Sequence, residues 1–290
     1  MGCAMRRIPT RRGRLCDWGR AMNDSPGEWP ELVEETRRIW NKNAEAWDSR
    51  MGERGNDFHR ELILPAFDRL LSVGSDDEML DVGCGNGVVS RYLAKKGARV
   101  TGIDASVDLI DYARTYRDNI SYEVLDATDE ETLLALGKGR FAAAISSNVL
   151  MDMPSISPLL RALAKLLRPN SPFVFSLMHP CFQNPGATRM VEQDERDGRF
   201  GLRHATKISH YIEPLHYKGS LVTNSPAASN YFHRPLHVLF AEAFAAGFVI
   251  DGLEEPTFAQ PTPGARDMSW SQFGQIPPLL VVRLRLLAGA

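Results

Sequence analysis

Residues 79–87 read Met-Leu-Asp-Val-Gly-Cys-Gly-Asn-Gly, an apolar run that breaks into three glycines at alternate positions. The segment 78–82 has the character of a strand and 88–96 that of a helix, so the glycines fall on a strand-to-helix turn. Glycine accepts positive φ and lets a ligand lie directly on the backbone, because no Cβ intervenes. In an open α/β sheet, such a turn at the carboxyl edge of the first strand is where a nucleotide-like ligand binds.

The stretches that follow repeat the theme. Asp104 closes Val100-Thr-Gly-Ile-Asp, which has the reach of a second parallel strand. A carboxylate at that tip can accept hydrogen bonds from both hydroxyls of a ribose. A third apolar run, 120–125, ends in Asp126-Ala127, and a fourth, 141–147, opens into Ser147-Asn148-Val149-Leu150. Helical patterns at 88–96, 107–116, 130–136 and 156–167 separate these runs, and a fifth strand is expected at 173–177. Strict alternation of this kind predicts a mostly parallel sheet with helices on both faces. A helix at 234–246, ended by Gly247, and strands at 248–253 and 279–286 complete the pattern.

On these residues the chain resembles the class I S-adenosylmethionine-dependent methyltransferases of small-molecule type. Their first motif, an acid, an apolar residue and Gly-x-Gly-x-Gly, is matched by Asp81, Val82, Gly83, Gly85 and Gly87. A dinucleotide fingerprint wants Gly-x-Gly-x-x-Gly, and position 88 is Val, so the spacing favours the sulfonium cofactor. The resemblance implies an α/β, Rossmann-like, doubly wound seven-stranded sheet, mostly parallel with an antiparallel edge strand, the last two strands pairing antiparallel. It implies S-adenosylmethionine as cofactor and S-adenosylhomocysteine as product. Contacts to them are expected from Asp81, Gly83, Cys84, Gly85, Gly87, Asp104, Ala105, Asp126, Ala127, Ser147 and Asn148. Asp126 would face the exocyclic amine of the adenine, and Ser147-Asn148 the entrance to the methyl-transfer site.

Four regions are expected. Residues 1–22 carry six arginines against one acid in their first 21 positions, and without those 21 the net charge of −2 becomes −7. They read as a basic disordered tail or an upstream extension, with a basic arm for an acidic partner as the other reading. Residues 23–75 hold two helical segments, 31–48 and 58–71, the second bent or interrupted by Pro65. The resemblance makes them a lid, with Arg54 and Asn56 toward the methionine end of the cofactor and Trp40 and Trp47 either facing its sulfonium or packing the helices. Residues 76–181 and 234–290 form the cofactor-binding core. The intervening 182–233 exceed what the core needs, and a long insertion at the carboxyl edge of strand five is expected to cover a substrate.

Methyl transfer is an in-line displacement at the sulfonium carbon, and holding the reacting atoms near attack distance supplies much of its acceleration. A base is needed only when the acceptor carries a proton at neutral pH. Six of the seven histidines lie between 179 and 237. His179, leaving strand five toward the site, His233 and then Tyr211 are the candidate bases, each with a helix-end or polar structural role as the alternative. His204, His210 and His216 are spaced by six, which on an extended strand separates neighbours by about 20 Å; shared metal ligation is excluded on that geometry, and no metal is expected. Cys181 follows a proline but sits after strand five, which argues against a base-methylating nucleophile.

Composition sets the outer bounds. The 290 residues are 43% apolar and 24% charged, enough for a full core. An acidic core argues against nucleic acid as a partner. Four cysteines show no paired spacing, and no apolar run reaches the roughly 20 residues that span a bilayer. The expected protein is a cytoplasmic enzyme acting on a small molecule. The other readings are a non-catalytic regulator or partner subunit that binds the cofactor, and an enzyme performing other chemistry on a sulfonium ligand.

Overall fold

The computed structural model describes residues 27–220, 225–261 and 264–287. The basic segment 1–22 lies outside the described residues. The chain opens with a single 3-10 turn, Pro30–Leu32, and runs into the long helix α1 (Val33–Met51). A π-helical stretch, Phe58–Ile63, then passes directly into α2 (Leu64–Leu70). Pro65 stands in the first turn of α2, where a missing N–H costs nothing, so the expected interruption takes the form of a change from π to α winding.

The core alternates as expected: β1 (Glu78–Val82), α3 (Val88–Ala94), β2 (Arg99–Asp104), α4 (Val107–Thr115), β3 (Ser121–Val124), α5 (Glu130–Leu134), β4 (Ala143–Ser147), α6 (Ser157–Leu166) and β5 (Pro172–Met178). Two hairpins follow, β6 (Ala187–Arg196) with β7 (Arg199–Ile208) and β8 (Leu215–Gly219) with β9 (Ser229–His233). Helix α7 (Leu236–Ala245) and strands β10 (Phe248–Glu254) and β11 (Leu279–Leu286) close the chain. The seven-stranded sheet has the order β10-β11-β5-β4-β1-β2-β3. All neighbours from β5 to β3 pair parallel, and β11 runs antiparallel to both β5 and β10. A register shift between Ile250 and Gly252 frees Asp251 to bind the guanidinium groups of both Arg283 and Arg285.

Burial follows from this layering. Met79, Leu80, Asp81 and Val82 of β1 are all buried, as a central parallel strand covered on both faces requires. One face packs under α5, α6 and α7, with Leu159, Leu160, Leu163 and Leu166 forming the inner stripe of α6. The other face packs under α2 and α3 through Leu62, Phe67, Val89 and Leu93. Strand reversal occurs nowhere between β1 and β5, so the tips of β1 to β4 all point the same way. That places the glycine turn, Asp104, Asp126 and Ser147 on one edge.

The segment 182–233 does not stand over that edge as a free cap. Strand β9 is wholly buried and braces α1: Asn43 Nδ2 donates to Ala227 O (3.0 Å) and Ser229 Oγ (3.2 Å), and Asn230 Nδ2 donates to Thr36 Oγ1 (3.0 Å). The β6–β7 hairpin lies instead on the 268–273 segment, where the Arg189 guanidinium stacks 4.8 Å from the Trp270 ring. The element covering the sheet edge is α1, with the β8–β9 hairpin behind it.

Candidate functional site

The glycine turn has the shape its sequence demands. Gly83 and Gly85 have φ of 68° and 56°. A Cβ on Gly83 would come within 2.5 Å of Val149 Cγ2, so this position closes the turn against the loop after β4. Gly85 faces the other way, with Trp47 Nε1 3.3 Å from where its Cβ would be. The turn is fixed by Cys84 N–H donating to Ile103 O (2.9 Å) and Gly85 N–H donating to Asp104 Oδ2 (2.9 Å). Asp104 Oδ1 accepts from Ser106 N–H (2.8 Å). Burial still pushes the Asp104 carboxyl up to about 6, against the opposing pull of those two N–H groups.

Around this turn opens a cleft of about 770 Å³. Its lining includes Gly83, Gly85, Asp104, Ala105, Asp126, Ala127, Ser147 and Asn148, which are eight of the residues expected to hold the cofactor. Asp126 Oδ1 accepts from both the N–H (2.8 Å) and the Oγ1 (2.7 Å) of Thr128, which fixes the carboxylate at the tip of β3. Asn148 adopts φ of 57°, a left-handed geometry that asparagine tolerates better than most residues, and its N–H donates to Ser176 O (2.9 Å). Ser147 Oγ is buried and has no hydrogen-bond partner among the described residues. The cleft is roofed by α1, through Thr36, Arg37, Trp40 and Trp47, the two indoles meeting edge to face at 5.5 Å.

Three further expected residues lie around the turn rather than on the cleft. Asp81 is fully buried, accepts from Ser90 Oγ, and is pushed up to about 7 by desolvation. Gly87 N–H donates to Cys84 O and starts α3 from a left-handed conformation. Cys84 offers the turn its backbone, while its side chain packs with Ile110, Ala113 and Tyr122, and burial pushes the thiol up.

The two lid residues behave differently from expectation. Arg54 is exposed and is not among the residues lining the cleft. Asn56 Oδ1 accepts from His59 N–H (3.2 Å) and from His59 Nδ1–H (2.9 Å), a helix-capping role that occupies the side chain. The residue that reaches inward is His59, the seventh histidine. It lines a smaller cavity of about 320 Å³ together with Asp81, Cys84, Asn86 and Ser147. Burial lowers its ring to about 4, so it is neutral, with Nδ1 protonated toward Asn56 and Nε2 left as an acceptor.

The candidate bases are also placed away from the cleft. His179 is buried; its Nε2–H donates to Glu255 Oε1 (2.8 Å) and its Nδ1 accepts from Cys181 N–H (3.1 Å), so both ring nitrogens are occupied. His233 Nε2–H donates to Tyr211 O (2.7 Å). Tyr211 Oη accepts the Leu236 N–H (3.0 Å) and so caps the start of α7. None of the three lines the cleft. His204, His210 and His216 lie on separate elements with separate partners, and among the described residues no group of three or more His, Cys, Asp or Glu side chains is placed to hold a metal ion.

The acid missed by the sequence reading is Asp152. It lines the cleft four residues beyond Asn148, is 6% exposed, and its Oδ1 has no hydrogen-bond partner among the described residues. Burial pushes this carboxyl well above the usual carboxylate range, and the nearby Asp104 adds to the effect.

Comparison with known proteins agrees with this geometry. Residues 80–175 match the family described as "Methyltransferase domain". A ubiquinone biosynthesis O-methyltransferase of Coxiella burnetii is 34% identical over 109 residues, covering 36% of this chain and 45% of that protein. The match therefore spans less than half the length of that relative. A crystal structure of an S-adenosylmethionine-dependent methyltransferase from Mesorhizobium loti is 26% identical, with a TM-score of 0.59, over 76% of this chain and 96% of the other. The [4+2]-cyclase SpnF, 14% identical, shares the fold with a TM-score of 0.58 over 91% of this chain and 99% of its own.

Proposed function

We propose that the chain, whose residues 80–175 match the methyltransferase domain, is a class I S-adenosylmethionine-dependent methyltransferase that moves a methyl group from S-adenosylmethionine to an O, N or C atom of a small-molecule acceptor. The observation that carries this reading is the convergence of four strand tips on one cleft. Gly83 and Gly85, Asp104, Asp126 and Ser147-Asn148 come from four separate stretches of sequence and line one wall each.

The residues fit the cofactor on two counts. Gly85 keeps open a space beside Trp47 that a side chain would fill, and Ser147 Oγ is a buried polar atom without a protein partner among the described residues. Asp104 would hold the ribose hydroxyls, Asp126 and Ala127 the adenine, and the backbone at Gly83 to Gly85 the methionine portion. When bound, the cofactor supplies an activated methyl on a sulfonium. Trp40 and Trp47 present aromatic surface suited to a cation, and α1 keeps water from the reacting atoms. Orientation against a fixed wall is the main contribution expected of the protein.

The acceptor is small on this reading, since the cleft lies under α1 and is not an open basic surface. Among the described residues no helix is long and apolar enough to cross a membrane. The cytoplasmic setting expected from the sequence stays part of the proposal. A second reading, other chemistry in the same pocket, is kept open by the cyclase that shares the fold. Incubation with methyl-labelled S-adenosylmethionine and a panel of small phenols, amines and carbon nucleophiles separates the two. Label in a product together with S-adenosylhomocysteine supports methyl transfer. Tight cofactor binding with the label retained on the cofactor across the panel favours the other chemistry or a regulatory role.

A further inference from the structure

Resting on the methyltransferase reading, we propose that Asp152 takes the proton from the attacking atom of the acceptor, which makes the substrate a protic nucleophile, an N–H or O–H group. Three carboxylates line the cleft, and two of them are already engaged. Asp104 accepts from Gly85 and Ser106, and Asp126 accepts twice from Thr128. Asp152 is as buried as a core residue, and its Oδ1 has no partner among the described residues. A desolvated carboxylate without a donor is costly, and a ligand N–H or O–H is the group that relieves the cost.

The loop that carries Asp152 is held on every side except at that carboxyl. Its own N–H donates to Val149 O (2.7 Å), and Phe232 N–H donates to Met151 O (2.7 Å). The buried Arg234 guanidinium donates to Leu150 O (3.0 Å), Met153 O (2.9 Å) and Pro154 O (3.0 Å). Such a frame fixes where the carboxyl stands and makes no use of the carboxyl itself. Rigid support around an unengaged polar group is the arrangement expected of a group that meets a ligand.

The charges facing Asp152 set its strength as a base. Asp104 from the tip of β2 disfavours its ionisation. Tyr217 and Tyr231 approach from β8 and β9; burial first, and then the charge of Asp152, hold both phenols above their ordinary range, so both stay neutral. Arg37 on α1 lines the same cleft but is paired with Glu34 at 2.6 Å. In the empty cleft the carboxyl therefore keeps its proton to higher pH than an ordinary aspartic acid. A sulfonium arriving nearby stabilises the ionised form and releases that proton. In the reaction the acceptor lone pair forms the new bond to the methyl carbon, and the C–S bond breaks with its electron pair on sulfur. The acceptor proton passes to the Asp152 carboxylate and leaves to water when product departs. Atoms and charge balance without a further reagent.

Calorimetric titration of the full chain with S-adenosylmethionine and with S-adenosylhomocysteine, each in buffers of different ionisation enthalpy, tests this. The expected result is more proton release with the sulfonium than with the thioether. Asp152→Asn should abolish that difference while leaving affinity for S-adenosylhomocysteine within about 3-fold, and should lower kcat on the responsive half of an amine-and-phenol panel by about 100- to 10,000-fold, with KM little changed. Which half responds distinguishes N–H from O–H. Should the variant fail to fold, infrared difference spectra of the wild-type protein must still show a protonated carboxyl band lost on adding S-adenosylmethionine. An unchanged proton difference in the variant, no such band in the wild type, or methylation only on carbon overturns the role of Asp152 and leaves the methyltransferase reading standing. Absence of binding by either compound to folded protein overturns both.

Discussion

Asn86 and Asp48 join the glycine turn to the helix above it. Asn86 Nδ2 donates to Asp48 Oδ1 at 2.7 Å and to Gly52 O at 3.1 Å, and Tyr116 Oη donates to the same Asp48 oxygen at 3.0 Å. The glycine turn and the helix that roofs it are thus one hydrogen-bonded unit. A hydrogen bond to a charged group contributes about 1.5–3 kcal/mol, and this one, part-buried, belongs near the lower end. Asn86→Ala should destabilise the protein by about that amount and weaken binding of S-adenosylhomocysteine about tenfold or more. Wild-type affinity in a folded variant would show that α1 and the turn act separately.

Two glycines with similar dihedral angles separate steric from conformational cost. Gly83 and Gly139 have φ of 68° and 61°, but a Cβ on Gly83 meets both Val149 methyls (2.5 and 2.6 Å), and on Gly139 it meets nothing within 4 Å. Gly139→Ala should cost only the left-handed penalty, about 1–2 kcal/mol. Gly83→Ala should cost at least about 1 kcal/mol more, and displacing Val149 should also damage the cleft. Chemical denaturation of both variants gives the comparison, and equal losses would contradict the packing assigned to Gly83.

Asp81 carries a pH signature of its own. Its carboxyl lies at about 7 when folded against 3.8 as a free group, raised by desolvation. The folded state therefore holds the proton more tightly, so this contribution is full below pH 3.8 and disappears as pH rises to about 7. His59 has the opposite sign: lowered to about 4, its contribution is full above pH 6.5 and disappears as pH falls through 4. Between pH 4 and 6.5 the two oppose each other. Asp81→Asn removes the first contribution and leaves that of His59, so the wild type should lose a few kcal/mol of stability relative to the variant, about 1.4 per unit, as pH rises from 4 to 7. A difference that does not vary with pH would mean that Asp81 is ionised throughout.

His179 is assigned to structure by its two occupied nitrogens. His179→Ala should lower stability by about 1–3 kcal/mol, through the unpaired Cys181 N–H and Glu255, and leave S-adenosylhomocysteine affinity within about 2-fold. Loss of affinity without loss of stability would return this residue to the cleft.

How much of this was legible in the sequence follows from the range of the forces involved. Strand tips and the turn are local properties: the apolar runs, the glycine spacing and the acids that end each run gave the sheet and eight lining residues of the cleft. His179 misled because its neighbour in space is distant in sequence. The antiparallel strand β11 pairs Leu279 with Met178, and the ends of β10 and β11 bring Glu255 and Pro278 to the ring and backbone of His179. Asp152 was invisible for the same reason. In Leu150-Met-Asp-Met-Pro154 it reads as an ordinary loop acid, and the Phe232 N–H and Arg234 guanidinium that hold its loop lie some eighty positions onward. His59 is discoverable from its place three residues after Asn56, the spacing of a capping pair. The segment 182–233 meets α1 through Asn43, Thr36, Ser229 and Asn230, a contact that could not be read from composition.

The most direct test of the account is calorimetric titration of the purified protein with S-adenosylhomocysteine, with NAD as control and Asp104→Ala alongside. The account predicts micromolar binding of S-adenosylhomocysteine, none of NAD, and at least a tenfold loss in the variant. Failure of folded, ligand-free protein to bind S-adenosylhomocysteine, or equal binding by Asp104→Ala, would contradict it.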